Sequence, residues 1–230
     1  MVKICVPIVE ANKADAIAAM KKAKEMGADL VELRLDYIGA LTDADIGDLI
    51  SSADIPKIAT LRPEREGGFY KGDENARVRL LQTALSFGAE YVDLEVSTDI
   101  GWRYEIGKSC KSQGAKLIVS FHDFRGTPNK DVLSDTVKNE YAAGADIAKI
   151  ATTPKDFDDV MKVLSVVNRF KTDGKDIIGI AMGKLGKVSR LLAGPAGSYL
   201  TYASLETGKE SAEGQVSIAD MKKVMEVLVA

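Results

Sequence analysis

One local pattern, repeated along the chain, limits what these 230 residues can fold into: short β-branched runs alternate with longer amphipathic segments. Candidate strands fall at 2–9, 30–36, 57–62, 91–96, 115–124, 146–153, 176–183 and 198–204. Helical periodicity lies between them, as in KADAIAAMKKAKEM, ENARVRLLQTALSF, KDVLSDTVKNEYAA and KDFDDVMKVLSVVNRF, and a last helix, SIADMKKVMEVLVA, starts at Ser217 or Asp220. Four segments end alike, MGADLVEL, FGAEYVDL, QGAKLIVS and AGADIAKI, with Gly27, Gly88, Gly114 and Gly144 where a helix C-cap needs positive φ. Eight strands at about 29 residues per unit predict a single-domain α/β fold, a (β/α)8 TIM barrel over residues 1–230. An open doubly wound sheet shows the same alternation. The count of eight and the lack of a G-x-G-x-x-G after the first strand favour the barrel.

Composition narrows the function classes. Thirty-one basic residues against 34 acidic ones leave a net charge of −3, which argues against a nucleic-acid binder. No apolar run approaches a membrane span, and the opening MVKICVPIVEANKAD lacks a signal peptide's cleavage region, so the expected location is the cytoplasm. Two cysteines suggest neither a disulfide framework nor a metal cluster, and a single histidine excludes a multi-histidine metal site.

Strand parity then sorts the polar residues, because barrel strands alternate between the helix layer and the axis. With Val31, Leu33 and Leu35 outward, Glu32, Arg34 and Asp36 share the inner face. The same rule turns Asp93 and Glu95 inward, leaves Ser120, His122 and Phe124 inside, and puts Lys149 on the inner face beside Ile147 and Ala151. Arg62 closes its strand at the C-terminal mouth, where active sites of such barrels lie. Each residue also has a structural explanation. Glu32–Arg34 and Asp93 with a neighbour read equally as register-holding ion pairs. Asp36 is read as structural, and for Arg62 both readings stay open. A lone histidine is usually a satisfied core residue. Lys149 is harder to explain that way, since a lysine in mid-strand among apolar neighbours cannot snorkel to water. Burial favours the neutral amine, the form a Schiff-base nucleophile needs.

Loops at the mouth add further candidates. RPEREGGFYKGDE follows the third strand, and its Glu66 is placed to reach back over the mouth, whereas Glu64 and Arg65 read as solvated. GKLGKVSRLLAGPAGS, after the seventh strand, lacks phosphate-loop spacing, and Arg190, expected near the start of a helix, suits a substrate carboxylate. LETGKESAEGQVS, after the eighth, reads as a mobile connection or a lid. On the final helix, Met221, Met225 and Leu228 suit core packing or a dimer contact.

Taken together, DLEV (93–96), LIVSFHD (117–123) and the lysine in DIAKIAT resemble type I 3-dehydroquinate dehydratase. ELR (32–34), TLRPEREGG (60–68), AMGKLGKVSRLLAG (181–194) and SAEGQVSIAD (211–220) fall in that family's order. The resemblance implies dehydration of 3-dehydroquinate to 3-dehydroshikimate through a Schiff base on Lys149, with His122 as general acid/base and Glu66 hydrogen-bonded to it. It implies substrate binding by Glu32, Arg34, Arg62 and Arg190, with Ser211 and Gln215 on the closing loop. Asp93 would support the site, Met182 and Tyr202 would line it, and no metal or diffusible cofactor would be needed. Phe121 departs from the more polar residue expected there, but parity puts it on the outer face. The implied partner is the small-molecule substrate, with no nucleic acid or membrane and a homodimer left open. Two rivals remain: a class I aldolase, which would want a glycine-rich phosphate cradle, and a non-catalytic barrel, which would not need Lys149 and His122 together.

Overall fold

The structure, a computed structural model, describes residues 2–206, 208 and 212–229. Its strands are β1 (Lys3–Ile8), β2 (Leu30–Arg34), β3 (Lys57–Thr60), β4 (Tyr91–Glu95), β5 (Lys116–Asp123), β6 (Ile147–Thr152), β7 (Ile177–Ala181) and β8 (Leu200–Tyr202). All pair in parallel in the order β7-β6-β5-β4-β3-β2-β1-β8. The seam between β7 and β8 is spanned by the Tyr199 amide donating to the Ile177 carbonyl at 2.8 Å. The helices are α1 (Lys13–Glu25), α2 (Asp43–Ser51), α3 (Glu74–Ser86), α4 (Ile100–Gln113), α5 (Lys130–Ala142) and α6 (Phe157–Thr172). They continue with α7 (Gly183–Leu191), the short α8 (Ala193–Ala196) and α9 (Ile218–Val229). This is a nearly closed (β/α)8 barrel.

Local chemistry explains the boundaries. Asn12, Thr42, Asp73, Asp99, Asn129 and Asp156 each accept a first-turn amide of α1 to α6, satisfying donors that the helix leaves free. Ser217 does the same for α9 through the Asp220 amide. The four repeated glycines have φ of 71 to 99°. The acidic residue two positions after three of them has a task that the repeat alone did not reveal. Asp29, Glu90 and Asp146 accept the amides of Ile4, Lys57 and Leu117 at 2.7 to 2.8 Å, tying each strand start to its neighbour at the barrel's N-terminal end.

Parity holds across the sheet. Val31, Leu33, Leu35, Val92, Leu94 and Val119 are buried against the helices, and Ala148 and Ile150 pack with the apolar faces of α5 and α6. Each fully buried branched side chain contributes roughly 1.5–3 kcal/mol. Inside the barrel, Cys5, Leu30, Ile58, Tyr91, Ile118, Ile147, Ile178 and Leu200 form an apolar floor. The next inner positions toward the mouth are mostly polar, and the site stands on that floor.

Three expectations need correction. The third strand stops at Thr60, because Pro63 and the 3₁₀ turn Glu64–Glu66 redirect the chain, so Arg62 lies beyond the strand. The segment after the seventh strand is helical from Gly183, which puts Arg190 in the last turn of α7 rather than at a helix start. Met221 and Met225 are core residues, whereas Leu228 is 42% exposed and does not join them.

Candidate active site

A cavity of about 120 Å³ opens at the C-terminal mouth. Its lining includes Glu32, Arg34, Arg62, Glu66, His122, Lys149, Met182, Arg190, Tyr202 and Gln215. Ser211 lies outside the described residues. Asp93 sits beneath the cavity, fully buried, and carries the site's internal order.

The central interaction is between Lys149 and Asp93. Lys149 Nζ donates to Asp93 Oδ2 at 2.6 Å and to Glu32 Oε1 at 3.5 Å, and it stands 5.0 Å from the centroid of the Tyr202 ring. Beyond burial, which the strand pattern already implied, two carboxylates pair with the amine in the barrel interior. Asp93 Oδ1 accepts Arg62 Nη2 and Ser120 Oγ, both at 2.7 Å. Burial opposes its charge, but Arg62 and Lys149 overcome that and hold the Asp93 carboxyl far below the usual carboxylate range. Glu32 also accepts Thr60 Oγ1 at 2.9 Å. Register makes this geometry possible, since Thr60 is the ladder partner of Asp93, and Ser120 that of Lys149.

Arg62 is 4% exposed and meets Glu95 as well as Asp93. It organises two carboxylates and borders the cavity. Arg34 forms a two-point pair with Asp36, Nε to Oδ1 at 2.8 Å and Nη2 to Oδ2 at 2.7 Å. Asp36 also accepts the Phe69 amide at 3.1 Å, which confirms its structural role.

His122 stands opposite the lysine. Its Nδ1 is 3.3 Å from Glu66 Oε2, and Glu66 Oε1 accepts Ser97 Oγ at 2.6 Å. A carboxylate only accepts, so Nδ1 carries the proton and Nε2 keeps its lone pair. Burial pushes the His122 pKa below its ordinary value, as do Arg62 and Lys149, against the raising effect of Glu66 and Asp93. The ring is neutral near pH 7. Burial raises Glu66, yet its bonds to His122 and Ser97 win and it lies below its ordinary value.

Arg190 differs from every other cation here. It is 3% exposed, it has no carboxylate partner among the described residues, and its Nε is buried without a hydrogen bond. Burial pulls its guanidinium down to about 10, a drop that Tyr202 only partly opposes. A buried cation with no carboxylate partner among the described residues, on a cavity wall, has the chemistry to accept an anion. Gln215 reaches the same cavity because the loop base is pinned: the Gly183 amide donates to the Glu213 carbonyl at 3.0 Å. Gly214 has φ of 87°, and a Cβ on it would stand 2.1 Å from the Gly183 carbonyl oxygen.

Some contributors had no readable role in the sequence. Phe124 stacks on His122 with centroids 6.2 Å apart and planes at 12°, although parity had already turned it inward. Ser97 and Ser120 hydrogen-bond Glu66 and Asp93; parity had turned Ser120 inward without giving it a role, and no sequence signal singles out Ser97.

An alternating barrel that gathers an amine, an imidazole and a guanidinium with no carboxylate partner among the described residues on one mouth cavity has the layout of a barrel enzyme. Comparison with known proteins is more particular. The chain belongs to the type I 3-dehydroquinase family, whose family model matches residues 4–229. It is 40% identical over 230 residues to the 3-dehydroquinate dehydratase of Methanococcus maripaludis (strain C6), covering 98% of this chain and 99% of that one. It is likewise 40% identical over 214 residues to that of Methanosarcina acetivorans, covering 90% and 88%. Among solved structures, 3-dehydroquinate dehydratase from Geobacillus kaustophilus superposes with a TM-score of 0.93 at 30% identity, covering all of this chain and 91% of the other. The type I enzyme from Clostridium difficile, solved with covalently modified comenic acid, gives 0.91 at 28%, covering 99% and 92%. A 3-hexulose-6-phosphate synthase at 14% identity shares the fold alone.

Proposed function

We propose that this chain dehydrates 3-dehydroquinate to 3-dehydroshikimate through an imine on Lys149. The observation that carries the reading is that Lys149 and the neutral His122 line the same cavity, with the lone pair of His122 left free by Glu66. The Lys149 amine, once deprotonated, adds to the C3 ketone. Loss of water then leaves an iminium. That iminium withdraws electrons and acidifies the C2 proton, so a neutral imidazole suffices as base. The resulting enamine expels the C1 hydroxyl, which leaves as water with the proton His122 now carries. Hydrolysis returns the amine and releases the product.

Arg190 receives the substrate carboxylate in this reading, supported by a buried Nε without a hydrogen bond and by the lack of a carboxylate partner among the described residues. Glu32 and Arg34 face the hydroxyls, Arg62 borders the ring, Met182 and Tyr202 line the pocket, and Gln215 with Ser211 closes it. No described helix is long and apolar enough to cross a membrane. Cytoplasmic work on a free small molecule, without a nucleic-acid partner and without a metal or diffusible cofactor, completes the proposal, with a homodimer left open.

The test is borohydride trapping with 3-dehydroquinate followed by peptide mass spectrometry. A reduced adduct on the peptide carrying Lys149 is expected, and its loss in Lys149→Ala together with turnover. Steady-state activity in Lys149→Ala would refute the mechanism. Adducts with phosphorylated ketoses, and none with 3-dehydroquinate, would favour an aldolase instead.

A further inference from the structure

We propose that Arg77, a residue outside the cavity, positions Lys149 for reaction through a series of alternating buried charges. The inference rests on the imine reading above. Arg77 lies on α3, on the helix side of the barrel wall, and is fully buried. Its Nε and Nη2 hold the two oxygens of Glu74 at 3.0 and 2.6 Å, and Nη2 also donates to Thr98 Oγ1 at 3.0 Å. Its Nη1 meets Glu95 Oε2 at 2.8 Å and donates to the Leu61 carbonyl at 3.1 Å.

The series runs inward from there. Glu95 gives its other oxygen, Oε1, to Arg62 Nη1. Arg62 Nη2 reaches Asp93 Oδ1 at 2.7 Å, and Asp93 Oδ2 reaches Lys149 Nζ at 2.6 Å. Both Glu95 and Asp93 thus offer one oxygen to each neighbouring cation, so displacing one member re-aims the next. Arg77 holds Arg62 twice, through Glu95 and through the carbonyl of the preceding residue. Stability alone does not demand such an arrangement, because buried ion pairs are often replaced by apolar residues without loss. A geometric requirement on the amine does.

Without Arg77, Glu95 Oε2 loses its cation and draws Arg62 onto both of its oxygens, away from Asp93. Two readouts follow. Asp93 no longer holds Lys149 in place, and the charge of Arg62 recedes from His122. The groups facing that ring are Arg62, Glu66, Lys149 and Asp93, of which Arg62 is the cation with the larger lowering effect. Its withdrawal raises the pH at which His122 takes up a proton.

The experiment uses Arg77→Met, Arg77→Lys, Glu95→Gln and the double variants, all in the full chain. Arg77→Met is expected to lower kcat with 3-dehydroquinate about ten- to a hundredfold, leave KM within about threefold, and move the acidic limb of kcat/KM to higher pH. Arg77→Lys, which keeps the charge but not the planar fork, recovers part of the rate. In the Glu95→Gln background, Arg77→Met should cost little more, because both act along one route. Should Arg77→Met fail to fold, the cycle is run with Arg77→Lys. A folded Arg77 variant with kcat within twofold of the parent and an unmoved acidic limb would overturn the proposal. So would a loss confined to KM, or effects of Arg77 and Glu95 that simply multiply. NMR titration of the His122 ring separates this inference from the reaction assignment. If the parent neither traps nor turns over 3-dehydroquinate, the assignment fails, while an unchanged His122 titration in the Arg77 variants still decides against the coupling.

Discussion

Replacing Arg190 with methionine should change stability and binding in opposite directions. In the free protein the guanidinium is buried, unpaired by any described carboxylate, and pulled from its ordinary value down to about 10 by desolvation. At about 1.4 kcal/mol per pH unit, that difference corresponds to ~3 kcal/mol of preference for losing the charge. A cation whose folded value lies below its unfolded one carries the full penalty below the folded value, and sheds it progressively as pH rises from about 10 to the unfolded value. At pH 7 the penalty is therefore complete. Methionine has a similar length and no charge, so Arg190→Met should stabilise the folded protein by up to ~3 kcal/mol, about 6–12 °C in Tm for a chain of this size. Substrate binding should suffer, since removing one partner of a buried charge pair costs ~2–5 kcal/mol, about thirtyfold or more in KM. Thermal melts at pH 7 and steady-state kinetics with 3-dehydroquinate read the two effects. A lower Tm would show that Arg190 serves a structural partner, and an unchanged KM would show that another group receives the carboxylate. Either result refutes the argument.

Four further outcomes are expected. His122→Ala should still accumulate a borohydride-trappable adduct, slowly, while elimination is blocked; full loss of trapping would place the histidine in imine formation alone. Glu66→Gln removes a charge that raises His122, so the acidic limb of kcat/KM should move to lower pH, with kcat reduced about tenfold or more; a limb that stays in place would contradict the coupling. Glu140, buried in α5 with both carboxyl oxygens lacking hydrogen bonds, has its pKa raised mainly by desolvation, so its contribution falls as pH rises above the ordinary carboxylate range. Glu140→Gln should therefore stabilise the protein more at pH 8 than at pH 5, by about 1–2 kcal/mol, as read by denaturant melts at the two pH values; equal effects would count against it. Gly214→Ala combines positive φ with a backbone clash at Gly183, so it should loosen the loop base and raise KM several-fold with the barrel's Tm little changed, whereas an unaltered KM would show that the loop base does not position Gln215.

Much of this protein is legible from neighbours in sequence. Strands and helices announce themselves by period, and helix ends by a capping side chain or a glycine, because both depend on residues within about four positions. Inner-face membership of Glu32, Asp93, His122 and Lys149 follows from the period of two, which a closed sheet cannot evade. Resemblance to one family then supplied roles for residues on separate strands. Arg190 was recognisable as a residue to watch, but not as part of a helix's last turn.

Only the tertiary structure decided who pairs with whom. Asp93 and Lys149 are 56 positions apart, and Arg62 and Glu95 33, so their contacts depend on the stagger of strands that the period cannot supply. The same holds for Arg77, whose helical position reads as an ordinary charge on α3 until packing brings it against Glu95. Chain-local periodicity settled the barrel and the set of side chains that face its axis. Register and burial decided which of those are locked to one another, which imidazole nitrogen Glu66 leaves free, and which cation has no carboxylate partner among the described residues, because electrostatic energies depend on distance through space and on exclusion from water.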